Sequence, residues 1–293
     1  MNKQGIPESE LVLNKDGSVY HLHLRPEHIA ETVLLVGDQG RVSRISKLFD
    51  HIEVQISNRE FVTHTGTYKG RRFTALSTGI GTDNIDIAIN ELDAAVNIDL
   101  DSRVPKEQKR CLNLIRIGTS GALHGDIPVD SSVISTHGLG FDGLLYYYRY
   151  QFSESEKLMN EKINEHLNWD ARLSLPYVVE ASSELLNLLS PDMIPGITAT
   201  ASGFYGPQGR QLNLQLANSR INESLQSFQF QGHRITNFEM ETSALFGLGK
   251  ILGHKCCTCC AIIANRVARK YSSNHHIAID ALIKKVLDRL SGV

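Results

Sequence analysis

Several common protein classes are excluded by what this 293-residue chain lacks. It has no basic excess: 30 Lys and Arg stand against 32 Asp and Glu, a formal net charge of −2. A nucleic-acid-binding surface needs a clear surplus of positive charge. No apolar run approaches the roughly 20 residues that a membrane helix requires. Met1 to Glu10 is polar and reads as no signal peptide. The five cysteines are an odd number, which suits a reducing compartment better than a disulfide framework. There is no Walker pattern, no serine-nucleophile elbow, no internal repeat, no low-complexity tract and no linker between two folding units. These absences lead to the expectation of a soluble, cytoplasmic protein forming a single domain over residues 1–293. With 41% hydrophobic and 21% charged residues, a sizeable core is possible.

Short apolar runs alternate with longer amphipathic stretches, the pattern of an α/β fold. Val33 to Val36 reads as a buried strand ending in Gly37-Asp38, with a helix from Arg41 to Phe49. Phe61 to Tyr68 and Arg72 to Ser77 read as two strands joined at Lys69-Gly70, followed by the turn Thr78-Gly79-Ile80-Gly81. Asn84 to Val96 places Ile85, Ala88, Ile89, Leu92 and Val96 on one helical face. Leu112 to Ile117 is a strand closing on Gly118, and Val129 to Ser135 is the next. Glu154 to Leu167 and Ser182 to Leu189 read as helices, and Ile197 to Ala201 as a short strand. Met240 to Leu252 reads as a helix and Cys256 to Ala264 as a strand. The last helix carries the stripe Ile279, Leu282, Ile283, Val286, Leu287 and Leu290. Two segments read as insertions: Asn97 to Arg110, polar and expected to loop out, and Gly138 to Tyr150, placed to cover a site.

Three groups of residues have the chemistry of a ligand site. Gly37 with Arg41, and Arg116 with Gly118 and Thr119, follow apolar strands. Ligands of open α/β sheets sit at the carboxyl ends of strands. Glycine lets backbone N–H groups approach an anion, and arginine offers a fixed fork of donors to phosphate. Ordinary strand-to-helix turns with surface arginines would look the same. Phe204-Tyr205-Gly206-Pro207-Gln208-Gly209-Arg210 combines an aromatic ring, an amide and a guanidinium, tools for a flat polar heterocycle, or simply a solvated loop. Asn237-Phe238-Glu239-Met240-Glu241 opens an otherwise apolar helix. Its glutamates suit the helix macrodipole, and equally suit the vicinal hydroxyls of a ribose. Cys256-Cys257-Thr258-Cys259-Cys260 is no metal site, because neighbouring side chains of a strand point to opposite faces. His275-His276 has no third ligand at helical spacing and reads as a solvated helix start.

Taken in order, these segments resemble the nucleoside phosphorylase family, and within it the uridine phosphorylases. The resemblance runs from about His21 to the final helix. It is carried by Tyr20-His21-Leu22, Val36-Gly37-Asp38 with Arg41-Val42, Arg59-Glu60-Phe61, Ser77 to Gly81, Leu114 to Gly121, Phe204 to Arg210, Asn237 to Thr242, and Asn265-Arg266. It implies one α/β domain with a mixed, partly closed sheet flanked by helices. It implies phosphate held by Gly37, Arg41, Arg116 and Thr119, with Arg59 donated by a neighbouring subunit. Ribose would be held by Glu239, Met240 and Glu241, and by His21 across the same interface. Phe204 would lie beside the base, Gln208 and Arg210 would read its edge, and Arg266 would stand nearby. Arg210, Gln208 and Arg116 are then the expected catalytic groups.

The resemblance further implies uridine and phosphate as substrates, no organic cofactor, no structural metal, and a homodimer as the minimal unit, with a homohexamer as a larger assembly. A monovalent cation near Glu60 is a further implication. Two departures stand out. The first loop reads Val36-Gly37-Asp38-Gln39 where relatives have Pro-Gly-Asp-Pro, implying a less rigid loop. The final strand ends in Asn265-Arg266 where purine phosphorylases have serine-aspartate, which argues against purines. A purine phosphorylase, a water-using nucleosidase and a non-catalytic nucleoside-binding protein are the alternatives.

Overall fold

The computed structural model describes residues 5–292. Residues 1–4 and 293 lie outside it, and with them the beginning of the polar stretch Met1 to Glu10. Strand β1 (Thr32–Val36) is the expected buried run. Helix α1 (Gln39–Ser46) starts two residues before the predicted Arg41 and stops three short of Phe49. The early start has a local cause: the Asp38 carboxylate accepts the Gly40 N–H at 3.0 Å and caps the helix. Strand β2 (His51–Asn58) was not predicted. It is an edge strand whose half-buried Ile52, Val54 and Ile56 alternate with exposed residues. β3 (Phe61–Tyr68) and β4 (Arg71–Ser77) form the expected hairpin. Lys69 and Gly70 both have positive φ, 49° and 75°, as its two-residue turn requires.

Helix α2 (Thr82–Asn97) buries the whole predicted stripe. At roughly 1.5–3 kcal/mol for each large side chain, this face is what holds the helix on the sheet. Asn97 to Arg110 does not loop out. β5 (Ile98–Asp99) pairs with β6 (Val104–Pro105), and the Asn97 amide clasps both the N–H and the C=O of Arg110, at 2.7 and 3.1 Å. Polar composition suggested a free loop because the polar side chains themselves pin it.

β7 (Asn113–Ala122) runs past Gly118 instead of closing on it. A Cβ there would lie 2.9 Å from the Cys260 sulfur, so Gly118 serves close strand packing rather than a turn. β8 (Ser132–Gly140) begins three residues after the predicted Val129 and ends five after Ser135. Gly138 to Gly140 therefore belong to the sheet and not to an insertion. A Cβ on Gly138 would sit 2.8 Å from the Ser243 backbone, so that glycine too permits close packing. The rest of the supposed insertion is a 3-10 turn, Leu144–Tyr147, and a short loop.

Then follow α3 (Glu154–Leu167), capped by the reciprocal Ser153–Glu156 pair, and β9 (Tyr177–Glu180), α4 (Ser183–Leu189) and β10 (Ile194–Thr200). α5 (Ile221–Ser227), β11 (Gln229–Phe230), β12 (His233–Glu239), α6 (Thr242–Leu252), β13 (Lys255–Asn265), β14 (Lys270–Tyr271) and α7 (His275–Ser291) complete the chain. Asn237 to Glu239 thus end a strand, and the helix begins only at Thr242. The predicted stripe of α7 is buried throughout.

Strand β7 organises the sheet. It pairs in parallel with β1 on one side and with β13 on the other. β13 continues antiparallel to β8, and β8 continues in parallel to β10 and then β12. β12 returns to β7, antiparallel, through Phe238 opposite Gly121 and Asn237 opposite Ala122. Five strands therefore close a ring, while β1, β4, β3 and β2 extend from it as an open wing. This is the mixed, partly closed sheet that was expected, in one domain. The cysteines of β13 separate as strand alternation demands: Cys257 and Cys259 pack in one core cluster, Cys260 in another and Cys256 in a third. No helix among the described residues is long and apolar enough to cross a membrane.

Candidate active site

The carboxyl ends of β1, β4 and β7 meet at one place. Gly37 follows β1, and a Cβ on it would come within 3.3 Å of the Gly79 carbonyl and 3.9 Å of the Arg116 guanidinium. The loop after Gly37 is tied down despite lacking prolines. Asp38 caps α1, and the Gln39 amide donates to the Arg59 carbonyl at 2.8 Å. Arg41, from the first turn of α1, is buried and donates through Nη1 to the Ile117 carbonyl at 3.0 Å. Arg116 is 4% exposed. Burial and the neighbouring Arg116 charge both lower the Arg41 pKa. The Nη1 of Arg116 has no hydrogen-bond partner. Thr119 lies three residues further along β7, partly exposed.

Arg116 is answered on its other side by two carboxylates. Its Nε donates to Glu239 Oε2 at 3.3 Å, and its Nη2 makes a short contact with Glu241. Burial alone would lower the Arg116 pKa, but Glu241 and Glu239 more than offset this and raise it. Burial raises the Glu241 carboxyl to about 7, with Arg116 opposing and Glu239 adding to the rise. Glu239 is held firmly. It accepts the Thr200 hydroxyl at 2.7 Å and the N–H groups of Glu241 and Thr242 at 3.0 Å. It therefore does cap α6, from the end of the preceding strand rather than from the helix. Glu241 accepts the Gly81 N–H at 2.8 Å and so ties the glycine turn after β4 to the same cluster. Met240, between the two, is partly exposed.

The aromatic-amide-guanidinium turn forms a second cluster. The Arg210 guanidinium lies 3.9 Å from the centre of the Phe204 ring and donates to the Phe204 carbonyl at 2.6 Å. It also makes a short contact with the Gln208 side-chain oxygen. Gln208 is buried, Phe204 half-exposed. Arg266 donates to the Gln208 carbonyl, so the four predicted base residues do meet. Burial, then the Arg266 charge, bring the Arg210 pKa down to about 10, which leaves it charged at neutral pH. A Cβ on Gly121 would lie 4.0 Å from Arg210, which sets this cluster against the end of β7, the strand that carries Arg116. Beyond the turn opens a cavity of about 1050 Å³ whose walls include Tyr205, Arg210, Leu212, Leu214 and the stacked rings of Phe141 and Trp169.

His21 and Arg59 form a third group. The His21 ring donates through Nδ1 at 2.6 Å to the Glu91 carboxylate of α2, which also accepts the His21 and Leu22 N–H groups. Arg59, exposed and with φ of 53°, tops the β2–β3 hairpin 5.7 Å from the Tyr20 ring. Asn58 donates to the His21 carbonyl at 2.8 Å, which joins the two segments. Glu60 lies against the Gly79 turn; a Cβ there would be 3.2 Å from its side chain. Glu91, Thr200 and Ser243 carry no motif that marks them, and the last of these donates its N–H to the Thr200 hydroxyl at 3.0 Å. Their signal is a contact between distant segments, which spacing does not encode.

Two buried arginines at strand ends, a carboxylate pair on one of them and an aromatic-amide-guanidinium turn near the end of the same strand suit the chemistry of a nucleoside phosphorylase. Similarity to known proteins agrees. The family model of the phosphorylase superfamily matches residues 31–293, and this chain belongs to that superfamily. It is 31% identical over 266 residues to a uridine phosphorylase of Thermococcus kodakarensis, covering 88% of this chain and 81% of that one. A DeoD-type purine nucleoside phosphorylase of Bacillus velezensis is 25% identical over 80% of this chain and 82% of its own length. The crystal structure of a Trypanosoma brucei nucleoside phosphorylase, described as showing uridine phosphorylase activity, matches with a TM-score of 0.89 at 29% identity. That match covers 97% of this chain and all of the other.

Proposed function

We propose that this nucleoside phosphorylase cleaves uridine with inorganic phosphate, giving uracil and ribose 1-phosphate. The observation that carries the reading is the pair of buried arginines at neighbouring strand ends, Arg41 beside Gly37 and Arg116 with its Nη1 unpartnered among the described residues. Phosphate then sits on Gly37, Arg41, Arg116 and Thr119, and one of its oxygens attacks C1′ of the ribose. The C1′–N1 bond breaks through an oxocarbenium-like state, and its electron pair leaves with uracil N1. Charge spreads to the carbonyl oxygens of the base, where Arg210 and Gln208 stabilise it by hydrogen bonds that strengthen as it develops. Glu239, Met240 and Glu241 hold the ribose. No organic cofactor takes part in these steps.

Base choice is supported by two features. Arg210 offers donors only, and the Gln208 amide offers both kinds, which suits the acceptor-donor-acceptor edge of uracil. At the end of β13 stands Arg266, with no carboxylate beside it to protonate a purine. Sites that read a heterocycle by buried hydrogen bonds discriminate by up to roughly 10⁴ to 10⁵. A panel of uridine, thymidine, cytidine, inosine and adenosine at one phosphate concentration tests this. Uridine should far exceed cytidine; inosine turning over faster than uridine would replace the reading with a purine phosphorylase.

The active unit on this reading is a homodimer in which His21 and Arg59 serve the neighbour's ribose and phosphate. Their grouping around Tyr20 supports it. Inactive Arg210→Ala protein, dissociated and reassembled with His21→Ala or with Arg59→Ala protein, should recover activity, because one site of each mixed dimer then has neither defect and the other has both. No recovery in mass-verified mixed oligomers would remove both residues from the shared site.

A further inference from the structure

Asn265 touches neither substrate in the reaction just proposed, yet its side chain is fully engaged. It is the last residue of β13 and is buried. Its Nδ2 donates to the carbonyls of His124 at 2.8 Å and Ile127 at 2.7 Å, and its Oδ1 accepts the Ala268 N–H at 2.8 Å. These bonds join the loop leaving β7, the approach to β8 and the turn that follows β13. The His124 ring in turn bonds the Ile235 carbonyl of β12 at 2.9 Å. The amide thus fastens the rim of the closed ring, with both of its donors in use.

The residue it fastens directly precedes Arg266. The Arg266 N–H points to the Ala122 carbonyl at 3.5 Å, and its guanidinium holds the Gln208 carbonyl. Gln208 in turn meets Arg210. A chain of contacts therefore runs from the Asn265 amide through Arg266 to the turn that reads the base. It does not run to the anion end. Asn265 lies opposite Ala122, six residues beyond Arg116 on β7, or about 20 Å at the usual rise per strand residue.

We infer that Asn265 is a positioning residue for base recognition, acting through Arg266. This rests on the base site assigned above. No close analogue replaces it. Aspartate has no donor and would set a carboxylate against two carbonyls. Serine is too short to span them, and alanine leaves all three partners without their bonds.

The test is a double-mutant cycle on the full-length enzyme with Asn265→Ala, Arg266→Ala and the pair, measuring the Michaelis constants for uridine and for phosphate separately. Asn265→Ala should raise the uridine constant about tenfold, the scale of one lost hydrogen bond, while the phosphate constant stays within about twofold. Added to Arg266→Ala it should change the uridine constant little further. Asn265→Asp should be worse than Asn265→Ala despite its closer shape. The inference is overturned if both Michaelis constants rise together, or if the two single effects multiply in the double variant. Should Asn265→Ala fail to fold, Asn265→Ser, which keeps one donor, is carried through the same cycle. A wild-type enzyme that prefers another nucleoside would defeat the uridine reading only, and the cycle would be run on that nucleoside.

Discussion

The two ends of the site are built on different principles. At the anion end the charged groups are buried, and the protein's own carboxylates answer them. Arg116 is held by Glu239 and Glu241, and these by Thr200, Gly81 and the start of α6. All of this stands on strand ends. At the base end the groups stand mostly on a turn, set against the ends of β7 and β13. Gly209 takes φ of 65°, and a Cβ there would lie 2.7 Å from Asn222, so the turn is shaped by its packing on α5. Phe204 is half-exposed, and Arg210 rests on its ring. The anion end is preorganised at the expense of buried charge; the base end is adjustable. Fold and function should therefore be coupled at the first and separable at the second.

Arg116→Ala should show the larger effect. It removes a donor from the anion site and also leaves two buried carboxylates without their partner. Breaking a buried pair in this way costs about 3–5 kcal/mol of stability. Losing a charge-assisted bond to the reacting anion costs about 2–5 kcal/mol in the transition state. Both substrates should suffer, because Glu239 and Glu241, proposed to hold the ribose, move with the arginine. Denaturant midpoints and kcat/KM for uridine and for phosphate check this. An unchanged midpoint with normal phosphate kinetics would dissolve the contrast.

Arg210→Ala should show the smaller and cleaner effect. Its guanidinium is partly exposed and bonds within its own turn, so the loss of stability should stay near 0.5 kcal/mol. Turnover of uridine should fall about 10²- to 10³-fold, the scale of one lost transition-state donor, with the phosphate Michaelis constant little changed. Preference for uridine over cytidine should shrink at the same time. A large drop in the denaturant midpoint would show the base turn to be as structural as the anion end.

The same division explains what was legible in the sequence. Amphipathic helices were read well, because their stripes are local: that of α2 is buried as expected, and so is that of α7. Apolar strands are legible, and Gly37 does end β1, but Gly118 and Gly138 lie inside strands instead of ending them. Gly118 and Gly138 let neighbouring backbone or side chains approach, and sequence does not distinguish that use from a turn. β12 is not legible because its consecutive Thr236 and Asn237 are polar and buried, so it lacks the apolar alternation of a strand. Gly37 and Arg41 meet Arg116 because β1 and β7 are parallel neighbours, Phe204, Gln208 and Arg210 meet because they share one turn, and Arg59 stands apart with His21. The groups that hold them, such as Glu91, Thr200 and Asn265, come from other segments, and only the folded chain brings them close.

The most direct test of the central claim is uracil release from uridine by the purified enzyme, with and without inorganic phosphate, with the sugar product identified. The account predicts release that rises with phosphate and yields ribose 1-phosphate, with the anion on the buried Arg41 and Arg116 as proposed. Equal release in phosphate-free buffer, with free ribose as the product, would contradict it and make water the nucleophile.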